Sequence, residues 1–208
     1  MACILLLIWH VTLAQLQVVV LLLKRNADPA VAEHRGRTPL HVAAQLNDTQ
    51  LAESLLENEN TPVDAVDVKG RTCLHYAAEC CSSSVVTTII NLPAARGRLI
   101  VDYPDRYMRS ALHTAAQMGD VTIVKLLLNG AADINLLEHK GHTPLDVARY
   151  FGNAAVAEVL TVRGGNASKT VPGILELEHT HTHTHTHTHI HIHMYTHTHT
   201  HTHSHRDA

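Results

Sequence analysis

Gly36-Arg-Thr-Pro-Leu-His-Val-Ala-Ala44 returns three times along the chain, as Gly70-Arg-Thr-Cys-Leu-His-Tyr-Ala-Ala78, Met108-Arg-Ser-Ala-Leu-His-Thr-Ala-Ala116 and Gly141-His-Thr-Pro-Leu-Asp-Val-Ala-Arg149. The hydroxyl residues Thr38, Thr72, Ser110 and Thr143 anchor the copies at spacings of 34, 38 and 33 residues. Leu55, Ile89, Leu127 and Leu160 each stand seventeen residues past an anchor, so the periodicity extends well beyond the signature. A period of this length marks stacked units, each too small to bury its own apolar face.

Each part of the signature has a physical reason. The hydroxyl can cap a first helix, and Pro suits its first turn, where no amide hydrogen is needed. The Ala pair keeps that helix thin, so neighbouring units can approach closely. Gly36, Gly70 and Gly141 serve a turn that calls for positive φ. Leu55, Ile89, Leu127 and Leu160 are then the inward positions of a second helix. Gly119 and Gly152 fit the turn between the two helices. Asn47 can take that place because Asn tolerates the left-handed region. Cys81 at the same position predicts a distorted turn.

The Thr-Pro-Leu-His-x-Ala signature at a period near 33 resembles the ankyrin repeat. That resemblance implies an all-α solenoid in which every unit contributes a helix-turn-helix and a projecting β-hairpin finger. The recurring acids Glu33, Asp67, Asp105 and Glu138 fall in the fingers on this reading. It also implies a structural role for His41, His75 and His113, one per unit, linking neighbouring units by hydrogen bonds. Between Ile90 and Ser110 the third copy carries extra residues, and Met108 replaces the expected Gly. The insertion reads either as an enlarged finger with a binding role or as a tolerated loop, since loop length costs little entropy.

Composition agrees with many small helices. Apolar residues make up 45% of the 208, yet aromatics only 3%, so the core is built from Leu, Val, Ile and Ala. A net charge of −3 gives no whole-chain field toward nucleic acid. Cys3, Cys73, Cys80 and Cys81 include no Cys-x-x-Cys pair, which argues against a disulfide framework or zinc site and points to the reducing cytoplasm or nucleus. Two Asn-x-Ser/Thr sequons, at Asn47 and Asn166, do not outweigh this.

The organisation expected is a degenerate front repeat over 1–30, four repeats over 31–165, a linker over 166–178 and a low-complexity tail over 179–208. Asn26-Ala-Asp-Pro29 after Val18-Val-Val-Leu-Leu-Leu23 resembles the second helix and exit loop of a further unit. The rival reading is a hydrophobic anchor over 2–23, uncharged and followed by Lys24 and Arg25, long enough to span a bilayer. Asp146 in place of His, Arg149 in place of Ala, and Glu158 give the last repeat the polar character of a cap. From His179 to His205 every odd position is His except Tyr195. Such a run has no apolar face and is expected to be disordered. It reads as translated CA-repeat DNA, with adventitious metal binding, or as an evolved metal ligand. The degenerate start and this tail also raise the reading of a truncated splice product of a larger regulatory protein.

No phosphate loop, His-Glu-x-x-His or Gly-x-Ser-x-Gly motif occurs, so neither catalysis, a cofactor nor a dedicated metal site is expected. The strongest surface signal is basic. Arg37, Arg71, Arg109 and His142 stand one residue before the anchors, and Arg35, Lys69, Tyr107 and Lys140 three before. On successive fingers they would form a ladder able to steer an acidic protein or peptide, unless they are ordinary family sequence neutralised by the nearby acids. Gln45, Glu79, Gln117 and Tyr150 would line the adjacent concave groove. The expected function is a non-catalytic interaction scaffold, with a membrane-anchored adaptor or channel fragment as the alternative. Asn135, in Gly130-Ala-Ala-Asp-Ile-Asn135, resembles the loop asparagine hydroxylated in some ankyrin proteins.

Overall fold

The computed structural model describes residues 21–23, 25, 27–92 and 100–168. The chain divides into two units, Met1–Ile174 and Leu175–Ala208, and every described residue lies in the first. The anchor reading of 2–23 falls almost wholly outside the described residues, and the His-Thr tail falls entirely outside them. No helix among the described residues is long and apolar enough to cross a membrane.

Four helix pairs follow one another: α1 Pro39–Leu46 and α2 Thr49–Leu56, α3 Cys73–Glu79 and α4 Ser83–Ile90, α5 Ala111–Met118 and α6 Val121–Asn129, α7 Pro144–Tyr150 and α8 Ala154–Val162. Helices this short are marginal alone in water, so stacking must hold them. The first helices pack on one another in the order α1, α3, α5, α7, and the second helices do the same in the order α2, α4, α6, α8. Ala43, Ala44, Ala77, Ala78, Ala115, Ala116 and Ala148 are all fully buried, which shows the small side chains setting the close approach. Leu55, Ile89, Leu127 and Leu160 are fully buried too, at the inward face of each second helix. In front of the first anchor, Leu21–Leu23 is helical, and Leu22, Leu23 and Ala27 pack against the core.

Each first helix begins with a capping box whose far partner is the signature residue three positions on: Thr38 with His41, Thr72 with His75, Ser110 with His113 and Thr143 with Asp146. Between the helices, Asn47, Cys81, Gly119 and Gly152 share the left-handed conformation, with φ of 54°, 56°, 80° and 73°. The expectation of a distorted turn at Cys81 is corrected: the backbone is kept and the cysteine takes the strained φ. The residue after this turn works in two ways. Asp48 and Asp120 accept amides of their own helices, Leu51 N at 3.0 Å and Ile123 N at 3.0 Å. Ser82 and Asn153, which can donate, reach back instead to the carbonyls of Ala44 (2.8 Å) and Ala116 (2.8 Å) at the end of the preceding first helix.

The fingers are tight turns, and no strand is present among the described residues. Each closes with an amide of the acidic residue donating to the carbonyl four residues on: Glu33 to Arg37, Asp67 to Arg71, Asp105 to Arg109 and Glu138 to His142. Single bonds of 2.9 Å join finger to finger, from Val68 N to Arg35 O, Arg106 N to Lys69 O and His139 N to Tyr107 O. The hairpin expectation is thus narrowed to a turn, because neighbouring fingers share one backbone–backbone bond per step and no strand forms among the described residues. The enlarged-finger reading is also corrected. The third finger closes like the others, and Val101 is buried as Val63 is in the unit before. The extra residues precede the finger, and 93–99 lie outside the described residues.

At the far end, hydrogen bonds to the last repeat continue to Ser168. Thr143 Oγ1 donates to Asn166 O at 2.9 Å, and Asn166 N donates to Asn135 Oδ1 at 2.8 Å. Ser168 N donates to Asp146 Oδ2 at 2.9 Å.

Candidate functional site

The fingers bring together residues that the linear sequence separates. Arg37 Nε bonds Glu33 of its own finger, Arg71 Nε bonds Asp67 at 3.0 Å, and Arg109 Nε bonds Asp105 at 3.1 Å. The same guanidinium groups then reach across to the exposed end of the first helix. Arg37 Nη1 meets Gln45 Oε1 at 2.7 Å, Arg71 Nη1 meets Glu79 Oε2 at 2.8 Å, and Arg109 Nη1 meets Gln117 Oε1 at 3.3 Å. Two columns expected to contact a partner separately therefore contact each other. The arginine side chains are 19%, 18% and 33% exposed.

The second finger is the most heavily tied. Asp67 accepts the amides of Lys69 and Arg71, each at 2.8 Å, and the hydroxyl of Tyr76 at 2.8 Å. Burial acts to raise the carboxyl pKa, but these bonds outweigh it and hold Asp67 below the usual carboxylate range. Arg71 also lies over the Tyr76 ring at 4.2 Å from its centroid. Burial, with the bond to Asp67, pushes the Tyr76 phenol up to about 12. In the first finger, the bond from Arg37 is the main cause that lowers the Glu33 pKa.

The fourth finger departs. His142 Nδ1 lies 2.9 Å from Glu138 Oε1, an attractive contact only when Nδ1 carries hydrogen; otherwise that buried oxygen has no partner. No bond joins His142 to Tyr150, which is 76% exposed and packs edge-on against Phe151 with ring centroids 5.2 Å apart.

Three cations expected to lie on the fingers, Arg35, Lys69 and Lys140, are exposed, and so is Tyr107. Arg106 belongs with them: it is exposed, four residues before its anchor, with its guanidinium on the Val68 carbonyl. Reading the column one residue farther from the anchor would have found it. A second omission is the position eight past each anchor, where Leu46, Cys80, Met118 and Phe151 are all exposed at the ends of the first helices. The column is apolar, so the polar pattern of Gln45, Glu79 and Gln117 gives no sign of it.

Behind this surface run the histidine links. Thr38, Thr72 and Ser110 each donate their amide to Nδ1 of the paired imidazole, at 3.1, 3.2 and 3.2 Å. An accepting Nδ1 leaves the hydrogen on Nε2, which donates to the next unit's carbonyl: His41 to Arg71 O (3.0 Å), His75 to Arg109 O (2.8 Å) and His113 to His142 O (3.2 Å). Burial lowers all three pKa values, in line with neutral rings. Among the described residues no group of three or more His, Cys, Asp or Glu is placed to hold a metal ion.

The family model for ankyrin repeats (3 copies) matches residues 7–99 and 97–171. The chain belongs to the ankyrin-repeat family. Neurogenic locus notch homolog protein 1 of Xenopus tropicalis is 34% identical over 127 residues, which is 61% of this chain and 5% of that protein. Putative palmitoyltransferase ZDHHC13 of Danio rerio is 28% identical over 155 residues, 74% of this chain and 23% of that protein. Nuclear factor NF-kappa-B p105 subunit of Gallus gallus is 29% identical over 155 residues, 73% of this chain and 15% of that protein. The chain thus spans less than a quarter of the length of each of these relatives. Ankyrin repeats are in general non-catalytic modules of protein–protein interaction. In this ankyrin protein the Asn135 amide is occupied by the C-terminal segment, accepting from Asn166 N and facing Gly164 O at 3.5 Å.

Proposed function

We propose that this ankyrin protein is a non-catalytic scaffold that holds a protein or peptide between its fingers and the exposed ends of its first helices. One observation carries the reading: a backbone that repeats unit by unit presents different side chains at the same exposed places. Three residues before the anchor these are Arg35, Lys69, Tyr107 and Lys140; eight residues after it they are Leu46, Cys80, Met118 and Phe151. Fixed spacing with varied chemistry is what recognition of an extended partner surface requires. Function still resides in the site and not in the fold, so the partner must be found by its fit to these side chains.

The family match beginning at residue 7 supports reading the front of the chain as a repeat in preference to an anchor. Cys73, Cys80 and Cys81 are free thiols, which supports a reducing compartment, cytoplasm or nucleus. The test is selection of a displayed random-peptide library on the full chain, with a chelator present to silence the His-Thr tail. Binders should lose affinity when Leu46, Met118 and Phe151 are changed together to Ala. Enriched peptides indifferent both to that variant and to fingertip changes would sink the scaffold reading.

A further inference from the structure

We infer that Cys80 and Cys81 form a two-thiol site that captures a trivalent arsenical bearing one organic group, with a single arsenic bridging both sulfurs. The site takes a small soft electrophile and needs no partner protein, so it stands or falls apart from the scaffold reading.

The pair belongs to the second unit alone. The other units have Leu46 with Asn47, Met118 with Gly119 and Phe151 with Gly152 at the same two places. Asn and Gly suit the left-handed conformation of this turn, whereas Cys81 holds it at φ 56° against its own preference. Both cysteines are exposed and free. The turn that carries them is fixed on both sides. Cys80 N donates to Tyr76 O at 2.9 Å, and Ser82 N donates to Ala77 O at 2.8 Å. Ser82 Oγ donates in turn to the Ala44 carbonyl of the unit before, at 2.8 Å.

The structure narrows what such a pair can do. A disulfide usually joins Cα atoms about 4.4–6.8 Å apart, while residues adjacent across a trans peptide stand about 3.8 Å apart. Closing that bond would distort a turn already held by its neighbours, so the pair stays a dithiol. A tetrahedral metal needs more ligands, and among the described residues no group of three or more His, Cys, Asp or Glu is placed to hold one. Cys73 cannot join, because it is 1% exposed and burial pushes its thiol up to about 12. Reagents that require a thiolate are poorly served as well. Partial desolvation, with the charge of Glu79 near Cys80 and of Asp120 near Cys81, holds both thiols above the ordinary cysteine value.

Trivalent arsenic fits what remains. It is soft, as sulfur is, and with one organic group it has two positions to exchange. Two As–O bonds of the arsenical dihydroxide break and two As–S bonds form. Each thiol proton leaves with a hydroxide as water, and nothing is oxidised or reduced. The arsenic lies between the sulfurs, so the adjacent Cα atoms need not move apart as a disulfide would require. Once the first sulfur is bound, the second thiol is its chain neighbour, and the second bond closes intramolecularly.

The experiment uses the full reduced chain and phenylarsine oxide, which takes up water to give the dihydroxide. Capture is read by native intact-mass spectrometry and by the number of thiols open to maleimide. One phenylarsenic should add per chain, the thiol count should fall by two, and the circular dichroism spectrum should stay the same. Glutathione should leave the adduct in place, and a small 1,2-dithiol should remove it. Cys80→Ser and Cys81→Gly should each weaken capture by about a hundredfold or more, since either leaves a single-sulfur adduct. Cys81→Gly carries the turn residue of the third and fourth units, so its fold is kept. Cys3→Ser and Cys73→Ala should capture as the unaltered chain does. Tight capture by Cys80→Ser or Cys81→Gly, loss of one thiol per arsenic, or dependence on Cys3 or Cys73 would overturn the inference. Arsenite, with three positions to exchange, should bind more weakly; equal binding would show a third thiol joining and would overturn it too.

Discussion

His75 shows how much one side chain does here. It accepts the Thr72 amide at Nδ1 and donates from Nε2 to the Arg109 carbonyl thirty-four residues away, so a single ring caps a helix and fastens two units. That it is structural could be read from its place in the repeated signature. Its tautomer and its partner could not, because both depend on where the next unit's backbone comes to rest. His75→Ala leaves a buried amide and a buried carbonyl short of a bond, and should cost about 3 kcal/mol in urea unfolding. The pH dependence follows from the same geometry. Burial holds the pKa values of His41, His75 and His113 below the ordinary imidazole value of about 6.5. Below that value the unfolded chain takes up protons that the folded rings refuse, so their contribution is complete above it and is lost as pH falls through the folded pKa values. The urea midpoint should therefore be lower at pH 5.5 than at pH 7.5, and the drop should be smaller in His75→Ala. The depressed carboxyls of Glu33, Asp67 and Asp146 do not blur this comparison, since they lose their contribution only in the more acidic carboxylate range. An unchanged midpoint across that interval would show that the rings are not held neutral.

At the scale of the element, the finger is the part that sequence reading placed well and described poorly. The periodic glycine marks the turn and the family resemblance puts Glu33, Asp67, Asp105 and Glu138 in it, but nothing in the linear pattern says that Arg37, Arg71 and Arg109 close on those acids. The charge pattern is the same whether Arg71 points outward or folds back; only Asp67, Tyr76 and Glu79 gathered around it in space decide the matter. The glycine itself is required for two reasons. Gly36 has φ of 75°, and a Cβ there would lie 3.1 Å from Val68 N and 3.2 Å from Asp67 Cα of the next finger. The third finger nonetheless carries Met108 at φ 60°. A non-glycine residue in the left-handed region costs roughly 1–2 kcal/mol, partly offset by the extra freedom glycine has when unfolded. Met108→Gly should consequently stabilise the chain by about 0.5–1 kcal/mol, whereas Gly36→Ala should destabilise it by about 2 kcal/mol, strain and the backbone contact acting together. Thermal unfolding of the two variants checks both signs. A destabilised Met108→Gly would mean that the methionine side chain makes contacts worth more than its strain.

Across the whole molecule the stack is one-dimensional: each unit touches only its neighbours, and its ends need a different chemistry from its middle. In the fourth unit Asp146 stands where the earlier units have His, and the structure shows what the change does. A histidine here would offer an Nε2 hydrogen to a following carbonyl; an aspartate offers only acceptors. Asp146 takes the Thr143 amide at 3.0 Å, as the histidines do, and then receives the Ser168 amide at 2.9 Å from a chain segment lying where the next unit would begin. Burial opposes the charged form, but those bonds outweigh it and keep the Asp146 pKa below the ordinary carboxyl value. The C-terminal segment was invisible to pattern reading because Asn166-Ala-Ser168 has neither apolar periodicity nor a repeat partner; it is held by Asn135, Thr143 and Asp146, each from the last two units. Nearest-neighbour stacking then makes a local forecast. Asp146→Ala should release Gly164–Ser168 and leave the Thr143 amide short of its bond, at a cost of about 2 kcal/mol. Because end units open without the rest, hydrogen exchange should quicken in α7 and α8 first, while α1 and α3 keep their protection. Uniform acceleration along the chain would instead show that the stack opens as one body, and that its end is fastened by more than this carboxylate.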